Sequence, residues 1–411
     1  MKTRYPNNDD AVAAILRAGT DVNCGIFMQT FAPHALANGT ISEADLDVII
    51  RRQFRLRTRL GHFDPPSALD SIGLDQMCTP FSLELARDAA RQSAVLAKNE
   101  GGVLPLAAGA FATAVVIGPL LSTTSVVTYY GSVPCNSSFT TPLDAVREHI
   151  PGAVGIMGVP NVTSTDTSGV ASAATAAAGA DLVLLTIGSD RSLETEGLDR
   201  SAIDFSPAQA ALVAAVAAAA KGPVVALVFS GGAMDIAVLL ANPKIAAVVV
   251  CGQPSVAVEG TLDAVFGRTP DGRAVAMAGR MSQTTYAASF TGEVDLFDFG
   301  MRPGPSAWPP GTTPGRTYRF YTGVPTLPYG YGLSFTTWAY TPLPGPTSPS
   351  LARLAAAADA HAAHGAVGHI PASLKNIAAD FYVNVTNTGS VDSDDVVLGF
   401  LVPPGAGVGG V

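Results

Sequence analysis

The chain has 411 residues, room for two or three domains, because single cores rarely grow past about 250–300 residues. Hydrophobic residues make up 48% and charged residues 14%, and the formal net charge of −9 argues against a surface that tracks nucleic-acid phosphates. No stretch reaches the roughly 18 uninterrupted apolar residues of a membrane-spanning helix, so neither nucleic acid nor membrane is expected as a partner.

Met1 to Asp10 lacks the apolar core of a signal peptide. A first helix is predicted over Asp10–Arg17, capped by Asn8 or Asp9. A stronger one covers Ile41–Leu60, opened by a Ser42/Asp45 capping box and stopped by Gly61. Acids open it, and five arginines between Arg51 and Arg59 suit the negative end of its dipole. His62 to Pro66 reads as a linker, and a third helix is predicted near Leu83–Lys98, capped by Ser82 and closed by the Asn99/Gly101 region.

From there the pattern alternates. Apolar runs at 114–117, 182–187, 224–229 and 245–250 are separated by alanine-rich helical stretches such as Ala208–Ala220. Continuous apolar strands between helices indicate βαβ units and a mostly parallel sheet covered on both faces. After about Arg268 the alternation stops, and 301–347 reads as an irregular wrap rich in Pro, Gly and aromatics. Leu351 to His369 is low-complexity, and its His361, His364 and His369 lack the acids and cysteines of a metal site. Asp380 to Val402 alternates like a β-sandwich strand pair around an Asn-Thr-Gly turn.

Cys24, Cys78, Cys135 and Cys251 form no Cys-x-x-Cys pair and do not suggest zinc; they read as buried thiols or as one or two disulfides. Asn38, Asn136, Asn161 and Asn384 each begin an Asn-x-Ser/Thr sequon, which favours a secreted glycoprotein. No metal and no cofactor is expected, and the absence of a Gly-x-Gly-x-x-Gly after a strand leaves Gly231 and Gly232 without a phosphate-binding loop.

The segment with most chemistry is 188–200, Gly-Ser-Asp-Arg-Ser-Leu-Glu-Thr-Glu-Gly-Leu-Asp-Arg, at the carboxyl end of the strand 182–187. Ligands gather at such strand ends in open parallel sheets. Glycoside hydrolysis needs one carboxyl to protonate the leaving oxygen and a second to attack or to activate water. On composition alone the loop reads rather as a solvated acidic turn.

The spelling Glu194-Thr-Glu-Gly-Leu-Asp-Arg200 resembles the Glu-x-Glu-x-x-Asp-Arg loop of β-xylosidases in glycoside hydrolase family 3. Other segments resemble that family in the same order: 18–25 and 59–64 its barrel's last parts, 98–105, 116–119, Cys135 with 140–142, 230–232, 314–321 and 329–334 its second domain. The resemblance implies a loop on an α/β-sandwich domain, with Glu194 as general acid/base, Glu196 as runner-up, and Asp199 and Arg200 binding substrate or shaping the loop. It further implies a remnant of a (β/α)8 barrel and exit linker over 1–66, the α/β-sandwich domain over 67–345, a linker over 346–375 and a truncated fibronectin III-like domain over 376–411.

The family's nucleophile is an aspartate on a barrel strand upstream of the segment resembling 18–25. None of Asp9, Asp10 and Asp21 matches that position, so the chain is expected to supply the acid/base and no nucleophile. Within the second domain, Val258-Glu-Gly260 and 273–277 depart from the family's usual spellings. The implied activity is retaining hydrolysis of terminal β-linked xylose, or of arabinose, from xylo-oligosaccharides and arabinoxylan in an extracellular or cell-wall setting. The alternative is a catalytically inactive sugar-binding or interaction protein derived from the family.

Overall fold

A computed structural model describes residues 5–122, 135, 139–307, 310–345, 352, 355, 381–400 and 402. The expected linker over 346–375, its three histidines and Asn136 lie outside this set, save Ala352 and Ala355. The chain divides into two compact units, Met1–Met77 and Cys78–Val411.

The first unit is helical: α1 (Asn8–Arg17), α2 (Phe27–Ala37) and α3 (Glu43–Arg59). Its small core joins Val12, Ala13 and Leu16 to Ala35, Ile41 and Ile49. The Ser42/Asp45 capping box forms as expected, with each partner bonding the other's backbone. The α1 cap is Asn7 rather than Asn8 or Asp9, because Asn7 is the residue that stays extended and accepts from the Asp10 N–H.

The second unit is built on a six-stranded sheet. In chain order its elements are α4 (Pro80–Ser93), β1 (Val95–Asn99), β2 (Ala114–Ile117), α5 (Pro142–His149), β3 (Val154–Ile156), α6 (Val170–Gly179), β4 (Leu182–Gly188), α7 (Pro207–Ala219), β5 (Val224–Phe229), α8 (Ala237–Ala241), β6 (Ile245–Gly252) and α9 (Val258–Phe266). The strands lie in the order β1-β6-β5-β4-β2-β3, with only β1 antiparallel to its neighbour.

Both faces of the sheet are covered. Side chains alternate along each strand, so Leu184, Val225, Leu227 and Val249 meet α5 and α9, whereas Val183, Leu185, Ala226 and Val248 meet α6 and α7. This two-sided burial is why the strands read as unbroken apolar runs. The helix expected over Leu83–Lys98 is two elements: α4 starts at its Thr79 cap and ends at Ser93, and Ala94 turns extended into β1. Register with β6 decides the outcome, pairing Val95 with Val250 and Leu96 with Val249.

Between 267 and 345 the described residues carry only short elements, among them β7 (Gly304–Ala307), which pairs antiparallel with β8 (Pro310–Thr313). The strand pair expected within 380–402 does not form among the described residues. A single strand, β10 (Val383–Asn387), pairs instead with β9 (Trp338–Pro342). Cys78 and Cys135 form a disulfide, while Cys251 is a buried thiol and Cys24 an exposed one. No helix among the described residues is long and apolar enough to cross a membrane, and no group of three or more His, Cys, Asp or Glu there could hold a metal ion.

Candidate active site

Strand order reverses between β2 and β4, since the chain steps outward to β3 on one side and through β5 and β6 on the other. Loops leaving the carboxyl ends of such a sheet are where ligands meet it. The acidic segment leaves there, directly from β4.

One buried glutamine fixes its first residue. Gln209, in the first turn of α7, accepts from the Gly188 N–H at 3.0 Å and donates to the carbonyls of Gly188 and Val162, each at 3.1 Å. The sequence conceals this residue. Ser206-Pro-Ala-Gln209 has the spelling of a capping box, and the Ser206 hydroxyl does accept from the Gln209 N–H, but the amide side chain turns to the strand end.

The loop then winds over Asp190, whose carboxylate accepts from the Ser192 N–H at 2.8 Å and whose carbonyl accepts from Leu193 and Glu194. Glu194 is drawn inward. Its Oε1 accepts from the Ser189 hydroxyl at 2.5 Å and from the Gly231 and Gly232 N–H groups at 3.2 Å, and its Oε2 meets Arg200 Nε at 2.7 Å. Arg200 also donates to the Ala233 carbonyl at 2.9 Å. The carboxylate of Glu194 therefore ties three elements together: the end of β4, the Ser230–Gly232 loop after β5, and the far end of its own loop.

Glu196 has a different setting. Thr195 and Leu198 exchange both backbone hydrogen bonds, at 3.1 and 2.9 Å, so Glu196 and Gly197 are the two central residues of a tight turn. Gly197 has φ +82°, the left-handed value that favours glycine at the second central position. Glu196 and Asp199 are exposed, and neither side chain has a hydrogen bond or ion pair among the described residues.

The Ser230–Gly232 loop also walls a cleft of about 330 Å³ over the ends of β5 and β6, with Gln253, Arg280 and Ser282 opposite. The three acids of the first unit weighed as a nucleophile are occupied locally. Asp9 holds His34 and Asn38, each at 2.7 Å, Asp10 accepts from Asn7, and Asp21 meets Arg52 at 3.2 Å.

Comparison with known proteins decides the family. Residues 94–334, more than half of the chain, match the model of the glycosyl hydrolase family 3 C-terminal domain. The chain belongs to glycoside hydrolase family 3. Its family 3 relatives include a beta-xylosidase/alpha-L-arabinofuranosidase of Medicago sativa subsp. varia, 33% identical over 96% of this chain and 50% of the relative. An exo-1,4-beta-xylosidase of Emericella nidulans is 34% identical over 97% and 49%. A solved GH3 exo-beta-xylosidase in complex with a xylobiose aziridine activity-based probe superposes with a TM-score of 0.71 at 29% identity, over 82% of this chain and 42% of that one. A beta-glucosidase from Listeria innocua, at 22% identity and TM-score 0.65, shares the fold. The chain spans about half the length of the curated relatives it matches.

Proposed function

We propose that this chain supplies the general acid/base carboxylate of a retaining glycoside hydrolase that releases terminal β-linked xylose, with arabinose as the alternative sugar, from xylo-oligosaccharides and arabinoxylan. The observation that carries the reading is the two-glutamate loop anchored at the carboxyl end of β4. In a retaining mechanism one carboxylate attacks the anomeric carbon while the acid/base protonates the leaving oxygen; the same group then takes a proton from water. The two carboxyls lie roughly 5–5.5 Å apart, and the nucleophile belongs to the barrel that residues 1–66 would continue. An extracellular or cell-wall setting is supported by the Cys78–Cys135 disulfide, since such bonds persist in oxidising compartments.

The resemblance of the loop's spelling to the family's Glu-x-Glu-x-x-Asp-Arg supports Glu194 in that role. A second assignment, to Glu196, is favoured by one observation: Glu194 is held by four donors, whereas Glu196 stands exposed at the tip of the turn. On the second assignment Glu194 positions the loop.

Kinetics separate the two in a form of the protein that hydrolyses xylobiose. Replacing the acid/base with alanine should lower turnover of xylobiose by about 10²–10⁴-fold. It should largely spare glycosylation by a dinitrophenyl xyloside, whose leaving group needs no proton. A positioning residue would depress both substrates together. If neither variant shows the split, the loop is not the source of the acid/base. The 411-residue chain alone is expected to release no nitrophenol from an aryl xyloside, and robust release would contradict the division of carboxylates.

A further inference from the structure

Three Asn-x-Thr sequons fall on described residues, and the fold places them in three different settings. At Asn161-Val-Thr163 the middle residue is buried in the core, while Asn161 and Thr163 are exposed on either side of it. The Val162 carbonyl is pinned by Gln209 at 3.1 Å, so the turn is fixed from beneath. The Thr163 N–H and hydroxyl both donate to Asn161 Oδ1, at 3.0 and 2.9 Å. The Asn161 Nδ2 makes no hydrogen bond among the described residues.

Asn38-Gly-Thr40 repeats the oxygen contacts, with Thr40 donating at 3.0 and 2.6 Å, but its nitrogen is in use. Asn38 Nδ2 donates to Asp9 Oδ2 at 2.7 Å, and that carboxylate is largely buried and also bonded to His34. Asn384 lies in β10, where Thr386 points to the same face without bonding it.

We propose that Asn161 is an N-glycan acceptor and that Asn38 is not. The donor is an oligosaccharide linked to a polyprenyl pyrophosphate. Asn161 Nδ2 attacks its anomeric carbon, the new nitrogen–carbon bond replaces the carbon–oxygen bond to phosphate, and the lipid pyrophosphate departs with the proton that the amide nitrogen gives up. As that proton leaves, charge builds on Oδ1, where the two Thr163 donors already point. A glycan on Asn161 costs the fold no hydrogen bond. One on Asn38 leaves a single N–H on a nitrogen that now meets both Asp9 Oδ2 at 2.7 Å and His34 Nδ1 at 3.4 Å, so one of the two contacts is lost. The disulfide supplies the independent reason that the chain meets an oxidising, secretory compartment, and the proposal rests on the extracellular setting given above.

The test is expression of the 411-residue chain behind a cleavable secretion signal in a eukaryotic host, which makes it independent of the natural destination. Deglycosylation with a peptide N-glycosidase in heavy-oxygen water then marks each occupied asparagine as a labelled aspartate in the peptide mass spectrum. Most molecules should carry the mark at 161 and few or none at 38. Asn161→Gln and Thr163→Ala should each remove that glycan, while Thr163→Ser keeps it. An unmarked Asn161 in the secreted wild-type chain, or equal marking at Asn38, would overturn the assignment. The wild-type map alone decides the matter if a variant is not secreted.

Discussion

At the scale of single residues, Gln209 matters most to the site's geometry among those that carry no charge. It satisfies both backbone groups of Gly188 and the carbonyl of Val162 in an environment closed to water. Truncating it leaves these groups unpaired, at roughly 1–3 kcal/mol for each. Gln209→Ala is therefore expected to lower stability by several kcal/mol in urea unfolding, and a change within experimental error would show that the strand end is held by something else. Residue-scale chemistry was partly legible in the sequence. The acidic cluster at 190–199 stood out because charge is sparse in this chain, and the family spelling singled out Glu194, Glu196, Asp199 and Arg200. The direction each carboxyl takes was not legible. Glu194 and Glu196 are two residues apart and chemically identical; a partner 37 residues further on, Gly231, separates their settings.

Among elements, the packing of α4 on α9 is held by buried charge. Arg91 lies between Asp263 of α9 at 2.8 Å and Glu84 at 2.7 Å, and Arg273 reaches the same Glu84 oxygen at 2.7 Å. Arg87 meets Glu259 at 3.0 Å, and His149 of α5 meets Asp263 at 3.1 Å. Gly260 lets the helices cross closely, since a Cβ there would come within 2.1 Å of the Arg87 carbonyl oxygen. The Val258-Glu-Gly260 spelling, an unexplained departure in the sequence, thus belongs to this contact. The bonds from Arg91 and then Arg273 hold the Glu84 carboxyl below its ordinary value of 4.5. A group lowered in this way contributes stability that is fully present above the ordinary value and is lost as pH falls through the folded-state value. Thermal stability should accordingly decline on acidification below about pH 4.5, less steeply in Glu84→Gln than in the wild type. Equal slopes would exclude Glu84 from that decline. Four parallel strands, β2, β4, β5 and β6, were readable because burial on both faces writes them as apolar runs, whereas the half-exposed edge strand β3 was not. β1 was not, because Val95-Leu-Ala97 continues the apolar content of α4, and only its pairing with β6 makes it a strand.

For the molecule as a whole, two compact units and a match over about half the length of its relatives frame what the chain can do. Its α/β domain places the two-glutamate loop at a strand end, and on the proposed reading the partner carboxylate comes from a barrel. The most direct measurement is azide rescue of alanine variants of Glu194 and Glu196, in a form of the protein that turns over an aryl xyloside. Azide needs no general base, so it attacks the trapped glycosyl-enzyme and yields β-xylosyl azide when the acid/base is missing. Rescue with retained configuration in one of the two variants is the expected result. Failure of azide to restore turnover in either variant would contradict the assignment of the acid/base to this loop.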